Sequence, residues 1–235
     1  LRRRRYHLGR ERSRRWGAHE HDESAIPGGR SNAGHIIAWQ VVEFTNAADI
    51  TVQKGSIATM TGATTSVTAT LSPAVDPSRT FVLASFRTSA SSAQVGARML
   101  RAQLTNSTTI TIDRAISGAP DDLTEVAWQA IELKDGSKVQ RGSEPFANGV
   151  TTKVVTLAEA ADPARSVAFA SVQPVGGQAM GRSPYNVDDV IGVGTTTLAL
   201  SPTQLTLDRN STVSTADIGW FVVQFAGCRV MLIGD

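Results

Sequence analysis

Beyond residue 45 the chain alternates polar and apolar positions with a period of two. Ser66-Val67-Thr68-Ala69-Thr70-Leu71 and Thr109-Ile110-Thr111-Ile112 show it most cleanly, with Ser and Thr at most of the polar positions. Short β-branched runs of this kind suit a pleated, half-buried strand. The pattern predicts strands near 50–59, 65–72, 79–88, 95–104, 108–114 and 124–133. Turn signals separate them at Thr61-Gly62, Asp76-Pro77, Asn106-Ser107 and Gly118-Ala119-Pro120-Asp121. Pro presets the turn dihedral, and the preceding Asp side chain bonds the backbone that follows. Phe81-Val82-Leu83-Ala84-Ser85-Phe86 is more continuously apolar, as a central strand covered on both faces would be. No stretch offers a long amphipathic helix.

The pattern also repeats. Trp39-Gln40-Val41-Val42-Glu43-Phe44 recurs as Trp128-Gln129-Ala130-Ile131-Glu132-Leu133 and as Trp220-Phe221-Val222-Val223-Gln224-Phe225. Val52-Gln53-Lys54-Gly55-Ser56 matches Val139-Gln140-Arg141-Gly142-Ser143, an offset of 87 residues. Asp76-Pro77-Ser78-Arg79 matches Asp162-Pro163-Ala164-Arg165 at 86, and Thr111-Ile112-Asp113-Arg114 matches Thr206-Leu207-Asp208-Arg209 at 95. Landmarks in one order with a slowly drifting offset are the signature of a duplicated unit. The expected fold is all-β: two tandem six-stranded antiparallel β-sandwiches behind a basic, disordered N-terminal segment. The division is 1–35 basic segment, 36–45 closing strand of a preceding unit, 46–133 first repeat, 134–225 second repeat, and 226–235 the start of a next unit or a tail. The chain thus reads as an excerpt from a longer array. Trp39, Trp128 and Trp220 are the expected structural anchors, since one indole buries on the order of 200 Å².

Charge sharpens the division. The first fifteen residues carry Arg2, Arg3, Arg4, Arg5, Arg10, Arg12, Arg14 and Arg15 against Glu11, so of the chain's +2 this segment holds +7 and the remainder −5. Such an arm, interleaved with Tyr6 and Trp16, has the composition that neutralises phosphates. Two readings compete with nucleic-acid binding by a virion structural protein (capsid or tail). One is a surface-protein repeat; the other is that the head is a fragment boundary, because it lacks the alternation of the strands it precedes. All four His fall within the first 35 residues, and the one Cys is Cys228. Histidine-based catalysis, an internal disulfide and a Cys-cluster metal site are therefore poor expectations for the repeats. His19-Glu20-His21-Asp22-Glu23 is a weak metal pattern, and the pairs Asp121-Asp122 and Asp188-Asp189 read as solvated loops. No metal, no cofactor, no enzyme activity and no membrane span are expected.

The strand count, the Gln-basic-Gly-Ser opening, and the segments Val52 to Ser56, Thr64 to Leu71, Arg98 to Thr105 and Val126 to Ile131 resemble an H-type lectin domain. They are also similar to tandem repeats of large bacterial surface proteins. The resemblance implies a compact sandwich that binds sugars without catalysis. Its glycan would meet an Arg and an aromatic at a subunit interface, here Arg98 or Arg101 with Trp128. Counted back from Asp208, the second copy offers Val193 and Thr196 in place of the two Arg.

Duplication sorts the remaining candidates. Trp128, Asp76, Arg79, Asp113 and Arg114 recur in both copies and are expected to serve the fold. Arg87, Arg98 and Arg101 occur in the first copy only, and Arg182 and Tyr185 sit in a Gly-rich loop of the second. Arg binds vicinal hydroxyls and carboxylates bidentately, so these five are the candidate ligand-binding residues. The expected function is a non-enzymatic structural or adhesive repeat at the cell surface or outside the cell. Its expected partners are glycans, neighbouring repeat units or a second copy in a homo-oligomer.

Overall fold

A computed structural model of the chain describes residues 44, 46–57, 60–61, 63–88, 95–115, 123–175, 191–209 and 211–226. Among them the fold is almost all β. The first copy contributes β1 (Ile50–Ile57), β2 (Ser66–Thr70), β3 (Thr80–Thr88), β4 (Arg101–Asn106), β5 (Thr109–Asp113) and β6 (Leu123–Leu133). The second contributes β7 (Lys138–Phe146), β8 (Thr152–Thr156), β9 (Ser166–Pro174), β10 (Thr196–Leu200), β11 (Gln204–Arg209) and β12 (Ala216–Gln224). They form four three-stranded antiparallel sheets, ordered β1-β6-β3, β2-β5-β4, β7-β12-β9 and β8-β11-β10. The second pair of sheets repeats the strand order of the first.

The Trp strands β6 and β12 are the centres of their sheets, paired on both sides, and are the most buried strands of those sheets. Phe146, Leu157, Val172, Leu205, Leu207, Ile218 and Trp220 belong to one buried cluster. It draws on both second-copy sheets, which therefore share a sandwich-like core. In the first copy Ile110, Ile112, Val126 and Ala130 are buried at the corresponding positions. Each Trp sits opposite the glycine of its copy's Gln-basic-Gly-Ser strand: Gly55 pairs with Trp128 and Gly142 with Trp220. A Cβ added at either glycine would lie 2.7 or 2.6 Å from the indole Cζ2. The glycines are there because the rings lie over them.

The structure departs from the strand pattern in three places. Val95–Arg98 is a helical turn, and β4 starts only at Arg101. Apolar alternation in so short a run does not separate strand from turn. β3 is an edge strand, not a central one: Leu83 and Phe86 are exposed, while Phe81 is buried because its ring stacks on Phe169 of the second copy, centroids 5.5 Å apart. Finally, the β4–β5 hairpin carries a bulge between Leu104 and Asn106 that the β10–β11 hairpin lacks. The extra residue lowers the offset between the copies by one, from 96 at Arg101 and Thr197 to 95 at Asp113 and Asp208. It also makes Thr197, not Thr196, the counterpart of Arg101, since they face Asp208 and Asp113 respectively.

Candidate functional site

Several residues shared by the copies serve the turns and loops of their own copy. Asp76 Oδ1 accepts from the Ser78 N–H at 2.9 Å and Oδ2 from Arg79 Nε at 3.0 Å. Asp162 repeats both contacts with Ala164 and Arg165, at 3.0 and 2.9 Å. The opening glutamines each hold a loop: Gln53 donates to Pro73 O and accepts from Ser72 N–H, and Gln140 does the same with both polar groups of the Glu159 backbone. Arg114 and Arg209 are buried and donate to loop carbonyls. These contacts belong to the strand-to-strand connections of the fold, as the duplication suggested for Asp76, Arg79 and Arg114.

The Asp76 donors have a pH consequence. The Ser78 hydroxyl and N–H, aided by Arg79, hold the Asp76 carboxyl below its ordinary value of 3.8. A carboxyl lowered by folding contributes stability that is complete above its unfolded value and lost as pH falls through the folded one. Stability measured by urea midpoints between about pH 5 and pH 2 is therefore expected to fall more steeply in the native chain than in Asp76→Asn. Equal slopes would refute that assignment.

Arg101, Arg141 and Gly219, which differ between the copies, meet residues common to both at the seam where the copies join. The outward face of β7-β12-β9 receives the β4 edge and the turn before β3. Arg101 donates from Nη2 to Asp113 Oδ2 at 3.1 Å within its own copy, and from Nη1 to Ser143 Oγ of the second copy at 3.1 Å. Asp217 Oδ2 lies 3.7 Å from the same Nη1. Arg141 reaches in the opposite direction, from Nη1 to Pro77 O at 2.6 Å and from Nε to Leu104 O at 3.3 Å. Burial pulls its guanidinium below the ordinary arginine value, while nearby Asp76 pulls it back up. Backbone closes the seam: Val139 N–H donates to Ser78 O at 2.7 Å, and Ala102 N–H to Ser171 Oγ at 3.0 Å. A Cβ at Gly219 would lie 3.0 Å from Arg101 Cγ, so this glycine lets the β4 edge approach. The chemistry is that of a packing joint: charge-assisted bonds in a half-buried setting.

Arg101 is thus the sequence candidate the structure brings into a built site. Its side chain is 17 % exposed. Arg87 lies elsewhere, 3.2 Å from Glu125 in a pair whose side chains are 74 % and 41 % exposed; such surface pairs contribute roughly 0–1 kcal/mol. Arg98 ends the Val95–Arg98 turn and is half-buried. Trp128 lies over Gly55. Trp39, Arg182, Tyr185, and Arg2 to Arg5, Arg10, Arg12, Arg14 and Arg15 lie outside the described residues. Sequence reasoning missed Arg141, Ser143, Ser171 and Gly219. For Arg141 and Gly219 the signal was present as differences between the copies on one strand face, Lys54 against Arg141 and Ala127 against Gly219; Ser143 and Ser171 match Ser56 and Ser85 and gave none.

Among the described residues no group of three His, Cys, Asp or Glu side chains could hold a metal ion, and no helix is long and apolar enough to cross a membrane. Comparison with protein-family models, curated proteins and solved structures finds no match to the chain.

Proposed function

We propose that the chain is a non-enzymatic structural module whose task is to hold copies of one β-unit edge-to-face at a fixed angle, as a repeat of a surface or particle-forming protein. The observation that carries this is the seam: Arg101 and Arg141 cross it from opposite sides and end on Ser143, Asp217, Pro77 and Leu104. A guanidinium so engaged is a poor hand for a sugar, because its donors would have to leave existing acceptors first. The duplicated polar residues support the same reading, since they serve loops and turns and leave no nucleophile–base pair between them.

The test is geometric. Spin labels at Thr68→Cys and Thr203→Cys, in a Cys228→Ser background of the full chain, report the separation of the two copies. A single narrow distance distribution is expected, broadening when Arg101→Ala and Arg141→Ala are combined. A broad distribution in the otherwise native chain, or dose-dependent binding on a glycan array that Arg101→Ala abolishes, would overturn the proposal.

A further inference from the structure

The seam uses one face of the second copy; the same face of the first copy touches the second copy at its Phe81 corner, which stacks on Phe169, while Val52, Lys54, Ser56, Leu83 and Ser85 stay exposed. Counting from the Trp–Gly pairs, Val139 corresponds to Val52, Arg141 to Lys54, Ser143 to Ser56 and Ser171 to Ser85. Val139 is 6 % exposed at the seam and Val52 47 %. Lys54, Ser56 and Ser85 are exposed too, and so is Leu83, the counterpart of Phe169. The residue types that build the joint are kept on a face where folding does not use them: a β-branched residue, a basic residue and two serines.

The complementary edge is exposed as well. In the second copy the counterparts of Pro77, Ser78 and Arg101 are Pro163, Ala164 and Thr197, all exposed. The differences between the copies compensate. Ala127 stands where Gly219 admits the Arg101 stem. The exposed edge brings the shorter Thr197 to that point, so the added methyl meets a smaller side chain. Lys54 stands for Arg141, and an ammonium suits the carbonyl acceptors of Pro163 and Leu200 as the guanidinium suits those of Pro77 and Leu104.

From this continuity with the internal seam we infer that the outward face of β1-β6-β3 docks the β9–β10 edge of a second copy of this chain. The joint is heterologous, face to edge, so it propagates from chain to chain and does not stop at a two-fold dimer. It rests on the packing-joint reading above.

Sedimentation velocity on the full chain, from micromolar to millimolar, tests it. The native chain is expected to grow past dimers. Leu83→Asp disables the face and Thr197→Asp the edge, where the new carboxylate meets Glu125, the counterpart of Asp217. Each variant alone is expected to stay monomeric, and their equimolar mixture to form dimers that grow no further, because it holds one working face and one working edge. Val52→Lys, at the other exposed apolar position, replaces Leu83→Asp should that variant lose its thermal transition. A monomeric native chain overturns the inference, as does association indifferent to both face variants, or a mixture that stays monomeric while the native chain associates. A monomeric native chain whose labelled copies still give one narrow distance leaves the proposed function standing, so the two failures are distinguishable.

Discussion

Arg114→Met is expected to destabilise the chain by about 3–5 kcal/mol, read as a fall in the urea midpoint at unchanged slope. Arg114 is fully buried. Its Nε donates to Thr64 O at 2.8 Å, Nη1 to Ala97 O at 3.1 Å and Nη2 to Thr61 O at 2.7 Å. One side chain thus ties the β1–β2 connection to the helical turn before β4. Methionine fills much of the volume and adapts to the gap, so a cavity is not the main loss. The main loss is carbonyls left without donors, buried at Ala97 and part-buried at Thr61 and Thr64; a fully buried one costs about 1–3 kcal/mol. Amide exchange should rise first at Thr64 and its neighbours. Arg209→Met in the second copy is expected to lose less, because fewer carbonyls depend on it. Its Nε and Nη2 serve Val150 O and Ala147 O at 2.9 and 2.8 Å, and its guanidinium carbon lies 5.2 Å from the Phe146 ring centroid. A cost below about 1 kcal/mol for Arg114→Met, the size of an ordinary surface change, would show that the loop carbonyls find water instead.

The period-two pattern made the sheets legible, because a strand with one face on a core must alternate. The Trp landmarks marked the closing strand of each copy, and the pairing makes that strand the centre of its sheet; the glycine beneath each indole stands in the same opening motif. The Asp-Pro turns and the Arg at the end of β5 and of β11 could be assigned to the fold from duplication alone. What stayed illegible shares one cause. Parity along a strand says which side chains point away from their own core, not what covers them. Phe81 looked like part of a central strand because the second copy buries it. Arg101 looked like a free recognition residue because its partners Ser143 and Asp217 lie on strands of the other copy, 42 and 116 residues away in sequence. The bulge that shifts Thr197 into register with Arg101 is one residue in a hairpin, below what a matched offset can register.

The Trp–Gly pair makes the second large prediction, and its sign runs against the usual rule. Alanine for glycine inside a strand ordinarily stabilises by roughly 0.5–1 kcal/mol through lost chain entropy. At Gly142 the new Cβ would stand 2.6 Å from Trp220 Cζ2 and 2.8 Å from Cε2, closer than such atoms approach. Trp220 is 6 % exposed within the cluster that includes Phe146 and Ile218, so the ring has no solvent to move into. Forcing extra atoms into such a core costs about 1–3 kcal/mol, and Gly142→Ala is expected at the upper end of that range. Gly55→Ala meets Trp128 at 2.7 Å, but that indole is only half-buried and can swing, so a smaller loss is expected there. A double-mutant cycle isolates the cause. In a Trp220→Leu background, itself destabilised, Gly142→Ala is expected to be neutral or slightly stabilising. Additive losses in that cycle would mean that the glycine answers to its backbone and not to the ring above it.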